Sequence, residues 1–409
     1  MTDILLKNFA LLDVNAGILK TGFQVLVKDK IIARLERGSI DSKSARVFDL
    51  GGRTLMPGLI DCHVHIHRTV LPPAAIMLPS LIHAHAGVTL RNMLMRGFTT
   101  VRDAAGADLG HKQAVEQGLF TGPRLFVSGR AISQTGGHGD PRSPAELTEP
   151  CACTHLVAGV GRVADGVPEV RKAVRDEIRL GADQIKVMAG GGVGSMADPI
   201  DQLQYSMEEL EAVVDEATRS NKYVLAHVYM AAGIRRCIEA GVRTIEHGNF
   251  LDEQTAKMMV EAGTYLSPNL LIYKILYTQG KQLNYPQISI DKAKEVLDVG
   301  ARALEIAKRA GVKMAYSTDL SKCPEYQSDE FLIRAEILKP AEIIHSATMI
   351  GAEVVRMPGK IGVIAEGAYA DMLAVDGNPL EDIALLTEQG KHMPLILKEG
   401  TVYKDELVR

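Results

Sequence analysis

Between residues 58 and 356, short apolar runs alternate with helical spacing through roughly eight units, and this rhythm restricts the possible folds more than any other feature of the chain. Strand-like runs fall at 59–64, 99–103, 124–128, 184–188, 223–227, 244–247, 265–268 and 313–318. Helical patterns fill 167–180, 206–220, 231–240, 252–262 and 289–310. Repeated strand-then-helix units predict an α/β fold, specifically a closed (β/α)8 TIM-type barrel. An open nucleotide-binding sheet has no support. Gly190-Gly191-Gly192-Val193-Gly194 follows a strand, yet lacks both the Lys-Ser/Thr of a P-loop and a complete G-x-G-x-x-G. It reads instead as a flexible lid or a close-approach loop, with Ser195 as a polar contact.

The two ends of the chain are different in texture. Residues 4–55 are short alternating runs closed by turn residues, such as 23–28 before Asp29-Lys30, and 370–376 and 394–400 repeat the pattern. Both ends therefore contribute to one small β-sandwich domain, 1–57 with 357–409, around a catalytic barrel at 58–356. A chain of 409 residues is long enough for that division. The net charge of −4 offers no electrostatic case for nucleic acid or an anionic membrane, which leaves small molecules as the expected substrates. No leader or apolar span is visible, so the expected location is the cytoplasm, with a homo-oligomer as the expected assembly. Five scattered cysteines do not form a disulfide framework, and Cys151-Ala152-Cys153-Thr154-His155 reads as a loop with reduced thiols.

In such a barrel the chemistry gathers at the C-terminal ends of the strands. His63-Val64-His65 ends the first run, and residues two apart on a strand share a face, so both imidazoles can address one metal. That spacing alone says little, because His83-Ala84-His85 repeats it ahead of a helical stretch. The first pair has company: Lys186 lies near the end of the fourth run, His227 ends the fifth, His247 ends the sixth, and Asp319 follows the eighth. Six residues at one face of separate strands point to a metal site.

Lys186 is the difficult member, because an ammonium beside cations would repel them. As a carbamate formed with CO₂ it becomes an anion whose two oxygens can bridge two metals. Four histidines, the carbamate and Asp319 then hold two divalent ions. Nitrogen and oxygen donors without thiolate favour zinc, with manganese, cobalt or iron open. A shared water would be acidified to hydroxide near neutral pH, with Asp319 as proton shuttle. Hydrolysis at a carbonyl or phosphoryl centre is the reaction class that follows.

Pro57-Gly58-Leu59-Ile60-Asp61-Cys62-His63-Val64-His65, Lys186, His227, Ile245-Glu246-His247-Gly248 and Ser317-Thr318-Asp319 together resemble the amidohydrolase superfamily, across nearly the whole chain. The resemblance implies that His63 and His65 bind the more buried metal with Asp319, that His227 and His247 bind the more exposed one, and that carbamylated Lys186 bridges them. Thr100-Val101-Arg102-Asp103, Gly136-Gly137-His138-Gly139-Asp140 and Ile185-Lys186-Val187-Met188 resemble the imidazolonepropionase-related branch of metal-dependent dipeptidases, prolidases and carboxypeptidases.

A dipeptidase must also recognise a free carboxylate. His138, Tyr229 and Arg102 are the candidates, and Tyr229 is a second candidate for stabilising the tetrahedral oxyanion. Leu271, Ile272 and Tyr273 would line an apolar pocket for the leaving residue. Xaa-Pro dipeptidase activity is the expected function. Alternatives are a carboxypeptidase or dipeptidase for C-terminal Arg, Lys or hydrophobic residues, an N-acyl amino acid hydrolase, a lactonase or phosphotriesterase-like enzyme, and an imidazolonepropionase. A deaminase commonly carries a glutamate shortly after the fifth-strand histidine, which His227-Val228-Tyr229-Met230-Ala231-Ala232 lacks. A non-catalytic barrel ranks last, since it would have lost ligands.

Overall fold

A computed structural model describes residues 3–42, 44–67, 78–140, 142, 161–196 and 198–407. Two parallel sheets occupy the middle of the chain. One orders Leu59–Val64, Phe98–Asp103 and Arg124–Phe126 side by side. The other runs Gly161–Val163, Ala131–Ser133, Ile185–Met188, Val224–Met230, Thr244–Phe250 and Tyr265–Ser267. Every residue of Leu59–Val64, Phe98–Asp103 and Ile185–Met188 is buried, so both faces of these strands are covered and the polar residues among them, such as His63, Arg102 and Lys186, must find partners inside the protein.

Backbone hydrogen bonds join the two sheets at both seams. Asp183 N donates to Val127 O at 2.7 Å on one side. On the other, Leu266 N donates to Lys313 O at 3.0 Å, and Cys62 N donates to Tyr316 O at 2.8 Å. The run expected as a strand at 313–318 is reduced to a single bridge between Met314 and Leu266, and it serves as this link. The short strands Ala131–Ser133 and Gly161–Val163 had no sequence reading, because three residues carry no usable period.

Helices follow the strands much as the spacing expects. Helix Met207–Arg219 begins where Ser206 and Glu209 cap each other's backbone amides, and it turns Leu210, Val213 and Ala217 inward. Helices Glu253–Ala262 and Gln287–Ala310 each end on a left-handed glycine, Gly263 at φ 67° and Gly311 at φ 83°. Two further helices are α1, Pro79–Met95, and α2, Leu109–Glu116. His83-Ala84-His85 lies inside α1 and not ahead of it. Residues two apart on a helix point about 200° apart, so this pair cannot act as the strand pair does.

The chain ends form two more sheets. The strand Thr54–Pro57 lies between Met372–Val375 and Ala10–Asp13 in a six-stranded sheet, so the N- and C-terminal segments interleave. Leu6, Val25, Leu55, Met372 and Leu395 share one apolar core. Cys62, Cys237 and Cys323 are free and buried, and Cys151 to His155 lie outside the described residues. Among the described residues no helix is long and apolar enough to cross a membrane.

Candidate metal centre

Strand register builds most of this site. Met188 pairs with His227, His227 with Glu246, and Glu246 with Ser267, so these side chains share one face of the sheet, and the two-residue alternation adds Lys186. By the same alternation His247 should turn away. It does not, because its φ is +75°, a left-handed conformation that swings the ring back to His227, with His227 Nδ1 2.7 Å from His247 Nε2. Asp319 is also left-handed, at φ +54°, and its N–H donates to His63 O at 2.8 Å. Two non-glycine residues held in this sparsely populated region, both turned into one site, mark the place where the fold spends stability on geometry.

Each of the four histidines has one ring nitrogen tied to an acceptor. His63 Nδ1 donates to Glu246 Oε2 at 2.8 Å, and His65 Nδ1 to Ala105 O at 2.9 Å. His227 Nε2 donates to Gly191 O at 3.1 Å, and His247 Nδ1 to Asn269 Oδ1 at 2.6 Å. The second nitrogen of each ring is then a bare lone pair, and the lone pairs face one another: His63 Nε2 is 3.3 Å from His65 Nε2, and His227 Nδ1 is 2.7 Å from His247 Nε2. Facing lone pairs repel in the absence of a cation, and tying the outer nitrogen is the usual way to aim a metal-binding imidazole. Asp319 Oδ1 joins the first pair, 3.1 Å from His65 Nε2 and 3.6 Å from His63 Nε2.

Electrostatics agree with this donor set. Burial holds His63 and His227 well below the ordinary imidazole range and pushes His247 down to about 4, so the rings stay neutral, the form that binds metal. Burial alone would raise the Asp319 carboxyl, yet it is held below the usual carboxylate range and stays an anion. Lys186 is 1% exposed, and burial pushes its pKa down to about 8 against the opposite pull of Glu246 and Asp319. Among the described residues no hydrogen bond or ion pair reaches its Nζ. A lysine of pKa 8 is neutral in about one molecule in ten at pH 7, the form that can react with CO₂. The residues present thus fit the binding of divalent metal.

Glu246 stands behind the site, and sequence reading missed it. One oxygen holds His63, while the other accepts from Arg102 Nη2 at 2.7 Å, and all three residues are buried. Only the cross-strand register, which pairs it with His227, reveals it. Arg102 also donates to Thr244 Oγ1 at 3.0 Å, so it is spent on the sheet interior and is no anchor for a substrate carboxylate. Replacing Glu246 with Gln should leave Arg102 as an uncompensated buried charge and loosen His63. We expect a loss of about 3–5 kcal/mol in a denaturant titration and a 10- to 100-fold weaker metal affinity, on the order seen for comparable changes.

The structure brings His138 and Tyr229 to the histidines. The His138 ring stacks on His227 with centroids 4.2 Å apart, and its Nδ1 lies 2.6 Å from Ser195 Oγ. Tyr229 is buried; it stacks on His247 at 4.9 Å and accepts from Tyr273 OH at 3.0 Å. Tyr273 in turn touches His247 Nδ1 at 2.9 Å, so its role is polar and not that of an apolar wall. Leu271, Ile272 and Tyr273 start the helix Leu271–Gln279 and are buried. The glycine loop is a close-approach device: a Cβ on Gly191 would lie 1.8 Å from Pro199 O, and one on Gly192 would lie 2.0 Å from the His138 ring. Lys292 Nζ pins the same loop through Gly192 O and Ser195 O, each at 3.0 Å.

Residues 54–398 match the model of the amidohydrolase family. The chain is 35% identical over 398 residues to ochratoxinase of Aspergillus niger, covering 93% of this chain and 82% of that protein. A prolidase solved with N-methylphosphonate-L-proline superimposes with a TM-score of 0.96 at 45% identity, over 99% of this chain and 100% of that one. A Xaa-Pro dipeptidase with bound methionine gives 0.89 at 30% identity, over 98% and 100%. This chain belongs to the amidohydrolase family. It is a metal-dependent hydrolase.

Proposed function

We propose that this enzyme cleaves the amide bond of dipeptides, with Xaa-Pro as the preferred class, at a binuclear centre held by His63, His65, Lys186, His227, His247 and Asp319. The observation that carries the reading is the convergence of four imidazole lone pairs, each aimed by an acceptor on the far nitrogen. Similarity to a prolidase and to a Xaa-Pro dipeptidase supports the choice of substrate. The seam hydrogen bonds support a closed (β/α)8 barrel at 58–356, with a composite β-domain from 1–57 and 357–409.

His63, His65 and Asp319 would hold one ion, and His227 and His247 the other. The Lys186 amine would add CO₂ and release a proton, giving a carbamate whose oxygens would serve as further anionic donors. Divalent ions held by these residues, zinc by the donor set, would supply an acidified water and Lewis-acid polarisation of the amide carbonyl. Asp319, ionised at neutral pH, takes the proton from the attacking water and passes it to the leaving nitrogen. Burial raises the Tyr229 phenol far above neutral pH, so it remains a donor for the carbonyl oxygen as negative charge develops there. His138 receives the substrate carboxylate.

A panel of Xaa-Pro, Xaa-Arg and Xaa-Leu dipeptides, N-acyl amino acids and lactones tests the proposal. Xaa-Pro should give the highest kcat/KM, and amidation of its terminal carboxylate should lower that value by about 100-fold, the order expected when a hydrogen bond to a charged group is lost. Equal rates for the blocked and free substrates would overturn the dipeptidase reading.

A further inference from the structure

Sequence spacing set His83 aside as a residue without partners, but the fold supplies them. His67 follows the strand Leu59–Val64, His83 lies on α1 and His111 on α2, and their ring nitrogens meet. His67 Nε2 is 2.6 Å from His111 Nε2, and His83 Nδ1 is 2.8 Å from the same atom. We propose that these three side chains bind a third divalent transition-metal ion, separate from the paired centre.

The lone-pair count carries the proposal. His111 Nδ1 lies 2.6 Å from Asp108 Oδ1 and donates to it, so His111 Nε2 presents one lone pair. Two other imidazole nitrogens press on that single lone pair. Two donors cannot share it well, and two further lone pairs would repel it, whereas one cation satisfies all three nitrogens together. Asp108 also caps α2 by accepting from His111 N at 3.2 Å, so the carboxylate that orients the ring is itself fixed by the helix start. This carboxylate–histidine arrangement is the outer support that metal-binding imidazoles use.

His67 and His111 are 7% and 3% exposed, while His83 is half-buried, which leaves a side open for a fourth ligand such as water. Three neutral nitrogens select zinc, cobalt, nickel or copper and disfavour calcium and magnesium, which take oxygen. An ion here would tie the end of the first strand to α1 and α2, beside the strand that presents His63 and His65. His85, two residues from His83, is exposed on α1 and takes no part.

The test uses full-length protein, stripped of metal and re-equilibrated with buffered Zn²⁺, with bound metal counted by mass spectrometry. His83→Ala should bind one equivalent fewer than wild type, whatever number the paired centre holds, and His85→Ala should bind the wild-type number. His111→Gln gives the same one-equivalent loss should His83→Ala fail to fold. With Co²⁺, wild type minus His83→Ala should yield the visible spectrum of a single cobalt in a nitrogen-rich site. Equal metal counts in His83→Ala and wild type, or an equal loss in His85→Ala, would overturn the proposal.

Discussion

Lys186→Ala should strip the enzyme of bound metal and lower kcat/KM by about 10³-fold, and a short carboxylic acid such as propionate should restore part of both. The magnitude follows from the chemistry at stake. Metal assistance contributes several kcal/mol to carbonyl hydrolysis, and about 4 kcal/mol corresponds to about 10³ in rate. Lys186 is fully buried, and burial lowers its pKa to about 8. The sign of the metal effect is diagnostic. An ammonium beside two cations would repel them, so alanine would then retain or tighten metal binding; a bridging carbamate holds them, so alanine releases them. In the metal-free enzyme, ¹³C-labelled bicarbonate should give a carbamate signal that grows from pH 7 to pH 9. A lowered lysine pKa enlarges the neutral fraction in that window, where an ordinary lysine stays charged. Undiminished metal content in Lys186→Ala would remove the carbamate from the mechanism.

Asp319→Asn should lower kcat by about 10²- to 10⁴-fold, the range typical of a lost general base, while KM changes little. The substitution is well controlled by the backbone. Asp319 sits at φ +54°, a conformation that asparagine tolerates almost as well as aspartate, so the loop need not move. Asparagine keeps one oxygen near His65 but cannot take a proton. Steady-state kinetics beside a metal count separates the two roles: a ligand role alone would lower metal content in step with activity, and a proton-transfer role lowers activity with metal retained. A kcat within a factor of a few of wild type would assign the proton transfer to another residue.

The strand ends were legible because site residues on parallel strands gather near their C-terminal ends, and the candidates His63, Lys186 and His227 lie on such strands with His65 one residue beyond the first. His247 and Asp319 were legible as candidates from their place after the strands, but their left-handed backbones, which turn them toward the other histidines, leave no trace in a pattern of apolar residues. Glu246 was hidden by its neighbour. Two adjacent residues on a strand cannot normally face one site, and only the φ of His247 lets both serve it. Arg102 looked available for substrate because its partner, Glu246, lies 144 residues away in sequence. The cluster of His67, His83 and His111 was not legible at all, since its members come from a strand end and two helices with no shared period.

The most direct test of a paired catalytic centre is a titration of metal-free His83→Ala enzyme with Zn²⁺, following hydrolysis of a Xaa-Pro dipeptide. Removing His83 takes the proposed third ion out of the count, so the paired centre is read alone. Activity should climb to its maximum at two equivalents per chain. Full activity without added metal, or a maximum already reached at one equivalent, would contradict a binuclear centre.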